Sequence, residues 1–315
     1  MLRYICRRIL IIIPMLLAII FIICGIMELT PGEPARLILG TNATQEAVDQ
    51  LTVKLGYDKP FLVRYANYVL DAFQGDLGAS WQTDRSVFSE VAARFPTTIR
   101  LALFAIVLAV LIGIPLGVLA AVKQYSVFDG VGTAMAMLMA SIPSFWLAMM
   151  LIILFSVHLG WLPSYGASTF AHYILPSVAM ACPEIAVLLR FTRSTMLESI
   201  RQDYVRTARA KGQREGIVIF DHALKNALLP VVTVTGTEFC GLLGGVVTIE
   251  TIFSINGIGL LIYNSILSKD VPMVTGCAVF LATTVMLMML CIDIIYAFID
   301  PRIKARYAKS GKGGR

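Results

Sequence analysis

The chain has 315 residues, of which 57% are hydrophobic and 15% charged, with a mean hydropathy of +0.78. Soluble domains average about 45–50% apolar and about 25% charged residues, so this composition excludes an ordinary water-soluble fold and predicts an all-α, polytopic membrane protein. The formal charge of +6 gives no reason to expect nucleic-acid binding, because in such a chain the placement of Lys and Arg is informative and their sum is not.

Six apolar runs reach the roughly 20 residues that a membrane helix needs. They lie at about 9–28, 98–121, 131–157, 172–192, 230–249 and 272–298. The first follows MLRYICRR. It is longer than the roughly 7–15 residues of a signal h-region and no A-x-A site follows, so a retained anchor helix is expected. The polar segment 29–97 contains QEAVDQLTVKLGYDKP and PFLVRYANYVLDAFQGDLG, both with apolar residues at helical spacing. Pro60 suits a helix start and Gly75 a stop. Two or three short helices at the outer membrane face are expected there.

Pro143 falls within the third run, and Pro176 and Pro183 within the fourth. An interior proline removes a helix hydrogen bond and bends the helix, which opens space of the kind a translocation path needs; packing geometry alone would use it equally well. Glu184 and Glu238 lie inside the fourth and fifth runs. An acid at bilayer depth normally faces protein or water, so these two are expected to border a polar interior, with Pro143 beside the same path. Asp293 lies nearer the end of the last run, where local basic groups can pair with it. His158, His172 and His222 lack metal-ligand spacing. The six Cys contain no CxxC and mostly sit in apolar runs, so no disulfide frame or metal site is expected.

Charge sets the orientation. Arg3, Arg7 and Arg8 precede the first run and Lys123 follows the second. Eight Lys and Arg lie between Arg190 and Lys225, after the fourth run, and six more follow the sixth, beginning at Arg302. With six spans these all fall on one side, which places both termini and the 195–229 loop in the cytoplasm. The sequence has no GxxxxGK[ST] loop, HExxH or GxSxG, so neither its own ATP site nor catalysis is expected.

The basic loop has an order that a solvated linker does not need. In DYVRTARAKGQREGIVIFDHALKNALLPVV, Val205, Ala208 and Gly212 share one helical face, while Arg206, Arg209, Lys211 and Arg214 spread over the rest. Gly212 ends the helix, IVIFDHALKNALL carries the chain back, and Pro230 stands at the start of the fifth span. The geometry is a helical hairpin. Its basic helix suits either a groove on another protein or an anionic lipid surface.

The Ala208, Gly212 and Leu229-Pro230 pattern resembles the EAA loop of binding-protein-dependent ABC importer permeases, with Arg206 and Thr207 in the places of its Glu and first Ala, and Ala227 in that of its Ile. DYVRTARAKG, HALKNALLP, GDLGASW, SIPSFWLAMMLIILFSVHLGWLP, GGVVTIETIFSINGIGLL and IDIIYAFIDPRIK are similar, in order, to the peptide/nickel branch of that family. Asn256 departs from it, where the branch usually has Pro. The resemblance implies a type I importer (MetI-like) permease fold in a bacterial cytoplasmic membrane, with an N-terminal helix and extracytoplasmic segment at 1–96, a permease core at 97–300 and a basic tail at 301–315. It implies a second homologous permease subunit as heterodimer partner, an extracytoplasmic substrate-binding protein, and two cytoplasmic ATPase subunits. Those subunits would bind the ATP, and no cofactor would belong to this chain. It also implies that Asp203, Tyr204, Arg206, Ala208, Arg209, Ala210, Lys211 and Gly212 form the ATPase-coupling helix. Di- or oligopeptides are the implied substrates, with nickel, a metal chelate or glutathione as alternatives. A secondary transporter, the reading from another class, would need no ATPase.

Overall fold

The computed structural model describes the backbone of residues 2–29, 33–40 and 42–299, with side chains from residue 10 to residue 295. The expected tail at 301–315 and the side chains of Arg3, Arg7 and Arg8 fall outside the described residues. Regular structure within the described residues is helical throughout. Among the described residues, five helices are long and apolar enough to cross a membrane, or six when a bent pair is counted as one span.

One compact unit comprises Cys6–Pro96 and Asn256–Met286. It holds most of α1 (Leu2–Glu28), then α2 (Pro34–Leu39), α3 (Gln45–Lys54) and α4 (Phe61–Phe73). These are the three short helices of the 29–97 segment. Thr44 caps α3 by accepting from Ala47 N–H, and Gly75 (φ +86°) follows the end of α4. The amphipathic α4 lies against α1: Tyr65 donates to Leu17 O at 3.0 Å, Arg64 pairs with Glu28 at 2.5 Å, and the Phe21 ring meets Phe61 and Tyr65 edge-on. Burial pushes the Tyr68 phenol on α4 well above its usual pKa.

The same unit contains α12 (Ile258–Leu267) and most of α13 (Val271–Ile299). Asp270, 3% exposed, ties the loop before α13 to the GDLGASW segment. It accepts from Ser80 Oγ at 2.5 Å and Trp81 N at 3.1 Å, and from Met273 N at the helix start. Gly276 lets α13 approach Leu77 and Val87 more closely than any Cβ would allow. Asn256, the departure from the family pattern, has a specific partner: its Oδ1 accepts from Arg94 Nε at 3.1 Å, which a proline could not do.

The other unit contains Thr97–Ile255 and, within the described residues, Leu287–Ile299. Its long members are most of α5 (Val87–Val122), a helix that begins eleven residues before its apolar run, and α8 (Ala171–Ile200). At 1.5 Å per residue the 36 residues of α5 span about 54 Å, more than a bilayer core needs. Its polar start is supported by the i,i+4 pair Glu90–Arg94. On α8 pack α6 (Val127–Ser141), α7 (Ser144–Leu151) and α11 (Lys225–Ile252). Gly113 and Gly117 of α5, four residues apart, bring its backbone against α8. A Cβ at Gly117 would lie 2.6 Å from Leu189 O and 2.7 Å from Thr192 Cβ.

Two expectations are corrected. The third run is not one continuous helix. It is α6 followed by α7 and a π-helical continuation to His158, broken by 94°. Ile142, before Pro143, is extended (ψ 120°), because a residue preceding proline avoids the helical region; Pro143 therefore caps α7 instead of kinking one helix. Nor does Pro230 start the fifth span. A continuous helix runs from Glu215 to Ile252, with Pro230 in its interior. Pro176 and Pro183 do lie inside α8, as expected.

Candidate coupling site

The helix α9 (Asp203–Ala210) carries Arg206 and Arg209 against a single acid, Asp203. Gln202 is extended at its N-cap, Asp203 complements the positive end of the helix dipole and Arg209 the negative end. The stop is a Schellman motif: Gly212 N donates to Arg209 O at 2.9 Å and Gln213 N to Ala208 O at 3.3 Å. This needs Gly212 at φ +73°, where glycine alone is free of strain.

The turn after α9 is closed by side chains. Arg209 forms a two-pronged pair with Glu215, at 2.6 and 3.2 Å, and that bonding raises the guanidinium pKa further above its ordinary value. Gln213 Oε1 lies 2.7 Å from His222 Nε2, and Lys225 pairs with Asp221 at 2.8 Å. The returning chain is α10 (Glu215–Ile217) and then a π-helical stretch, Val218–Leu224, that runs into α11. Short π-helical insertions in α-helices occur frequently at functional sites.

The face of α9 carrying Val205 and Ala208 does not look outward. Val205 is fully buried and Ala208 is 6% exposed, within a cluster of Val118, Ala121, Met196, Val218, Ile219, Ala223 and Ala227. Ala208 was expected among the docking residues; its side chain instead packs into the chain's own core. The reason is that this face is the only apolar one, and the chain buries it itself. The remaining members of the expected set, Asp203, Tyr204, Arg206, Arg209, Ala210, Lys211 and Gly212, are exposed. Of these, Arg206, Arg209 and Lys211 are basic and Asp203 is acidic.

Glu184 on α8 and Glu238 on α11 lie close enough to interact, and the buried Oε2 of Glu184 has no hydrogen-bond partner. Pro143 stands at the α6–α7 break. Two further charged sites were missed. Glu250 is fully buried and accepts from Thr98 Oγ1 at 2.7 Å. An acid at the edge of the apolar run GGVVTIETIF was the available signal. Asp129 and Arg193 form a bidentate pair at 2.5 and 2.7 Å that joins the start of α6 to α8. Sixty-four residues separate them, and no local pattern points from one to the other.

A family model described as "Binding-protein-dependent transport system inner membrane component" matches residues 113–305, and one for the N-terminal part of such membrane components matches residues 1–102. The chain is 39% identical to the dipeptide transport system permease protein DppB of Alkalihalophilus pseudofirmus, covering 96% of this chain and 100% of that protein. It is equally identical, at 39%, to the glutathione transport system permease protein GsiC of Pectobacterium atrosepticum, over 96% and 99% of the two chains. A putative peptide transport system permease of Brucella abortus is 42% identical over 93% of this chain and 96% of its own. Among solved structures, the MetNI methionine ABC transporter in an inward-facing conformation aligns with a TM-score of 0.57 at 20% identity, over 67% of this chain and 96% of that one. That likeness establishes the fold.

Proposed function

Because this chain belongs to the family of binding-protein-dependent transport system inner membrane components, we propose that it is the permease subunit of an ABC importer for di- or oligopeptides. In this reading it forms half of the pore with a second, homologous permease. A binding protein delivers substrate from outside, and two ATPases bind and hydrolyse ATP on the cytoplasmic side. The observation that carries the proposal is α9: a short, exposed, basic helix whose own apolar face is fully occupied, so that only its polar outer surface is offered to a partner. Nucleotide-driven movement of the ATPases shifts α9, and the spans joined to it alternate between two states. The lipid-surface alternative fits less well, because interfacial binding needs an apolar face turned to the membrane and α9 has none to spare.

Glu184 and Glu238 are assigned to the translocation path, where a weak acidic pair tolerates the cationic amine of a peptide in transit. Peptide relatives favour peptides, and the glutathione permease gives glutathione, itself a small peptide, as the second reading. Uptake of a labelled dipeptide into proteoliposomes containing the whole complex tests both. Competition by unlabelled peptides and a loss of uptake in Glu238→Gln are expected; competition by glutathione alone would select the second reading.

The 29–97 segment is placed outside and the 200–229 loop and both termini inside, in the bacterial cytoplasmic membrane. In a Cys-free background, an impermeant thiol reagent applied to intact cells should label Thr83→Cys and spare Gln213→Cys. The opposite pattern would invert the orientation.

A further inference from the structure

Three parts of the coupling region meet at one hydroxyl. Ser199, next to the end of α8, is 6% exposed. Its Oγ lies 2.8 Å from the carbonyl oxygen of Ala223 and 2.7 Å from the Tyr204 hydroxyl. A serine hydroxyl carries one proton, and a carbonyl oxygen only accepts. That proton therefore goes to Ala223, and Tyr204 donates to Ser199. The relay runs from α9 through α8 to the π-helical stretch at the root of α11.

The surrounding cluster, which also holds Met196, Val218 and Ile219, is apolar, and apolar attraction is not directional. Val205, Ala208, Ala223 and Ala227 are small or smooth, and small apolar contacts tolerate sliding. A buried hydrogen-bond relay does not, because a shift breaks the two bonds that the Ser199 hydroxyl makes. Tyr204 suits the other end of the relay. It is 40% exposed on the outer surface of α9, while its hydroxyl reaches inward to Ser199.

The geometry points to Ser199 as a positioning residue for coupling: it makes α9 move as one body with the ends of α8 and α11. A displacement of the docking surface then reaches, together, the two helices that carry Glu184 and Glu238. This inference rests on the coupling role proposed for α9.

The test uses the complete complex, with its ATPases, second permease and binding protein, in proteoliposomes. The readout is substrate taken up per ATP hydrolysed. Ser199→Ala is expected to lower that ratio about tenfold, the order of effect of losing the two hydrogen bonds that its hydroxyl makes. Tyr204→Phe removes only the donor hydroxyl and should lower it too. The double variant should be no worse than Ser199→Ala, since both act through one relay. A purely structural role would reduce the yield of assembled complex and leave the ratio of the remainder unchanged. A wild-type ratio in both single variants, or losses that multiply in the double variant, would overturn the inference and leave the coupling role of α9 standing. If Ser199→Ala fails to assemble, Tyr204→Phe decides alone. Failure of the coupling role itself looks different: wild-type uptake would proceed without ATP, and the inference would fall with it.

Discussion

Ala208→Asp is expected to abolish the folded protein, not merely to uncouple it. Ala208 is 6% exposed and surrounded by Val118, Met196, Val205, Val218 and Ile219. A carboxylate there would enter an apolar cluster, and an unpaired buried charge costs about 3–5 kcal/mol. That is a large part of the stability of a typical domain. The variant should therefore vanish from the monodisperse fraction on size-exclusion chromatography in detergent. Gly212→Asp provides the contrast. A Cβ at Gly212 would meet open space, so the variant carries only the strain of a positive φ, about 1–2 kcal/mol. It should fold and lose coupling. An Ala208→Asp protein that purifies normally but no longer docks the ATPases would show that α9 turns its apolar face outward.

The second large effect is expected at the Asp129–Arg193 pair. Asp129 is 6% exposed and Arg193 27%. The carboxylate also accepts from Tyr125 N at 3.0 Å, in the turn that starts α6. Arg193→Met leaves this carboxylate facing the side of α8 without its cation. Breaking such a pair costs about 3 kcal/mol, whereas replacing both members with neutral groups is often close to neutral. Thermal denaturation of the purified protein should show a clear loss in Arg193→Met and recovery of most of it in Asp129→Asn/Arg193→Met. A double-variant loss equal to the sum of the losses in Asp129→Asn and Arg193→Met would mean that the pair has no net coupling and that α6 is held by apolar contacts alone.

The spans were legible in the sequence because a bilayer demands long apolar helices, and that demand is written in composition over some 20 residues. Helix ends were less so. The apolar run marks where lipid begins, but α5 and the helix entering α11 continue as polar helices past that point, held by pairs such as Glu90–Arg94 and Asp221–Lys225. Pro143 announced a break but not its 94° angle, which depends on how α6 and α7 each pack on α8. Periodicity correctly grouped Val205 and Ala208 on one face. It could not say what that face would meet, because a helix that docks on a partner and one that docks on its own chain have the same spacing. Gly113 and Gly117 are unremarkable as letters; only the backbone of α8 beside them explains why neither has a side chain. Asp129–Arg193 and Ser199–Ala223 join segments distant in sequence, and nothing local foretells them.

The central claim, that this permease is driven through α9 by ATPase subunits, is tested most directly by one measurement on the complete complex in proteoliposomes. ATP hydrolysis is followed while the binding protein is added empty and then loaded with a dipeptide, with α9 wild type or carrying Arg206→Glu and Lys211→Glu. Loaded binding protein should raise hydrolysis and uptake together in the wild type, and reversal of the two exposed charges should abolish both without loss of the folded permease. Uptake that persists without ATP, or stimulation unchanged by the charge reversal, would contradict the account.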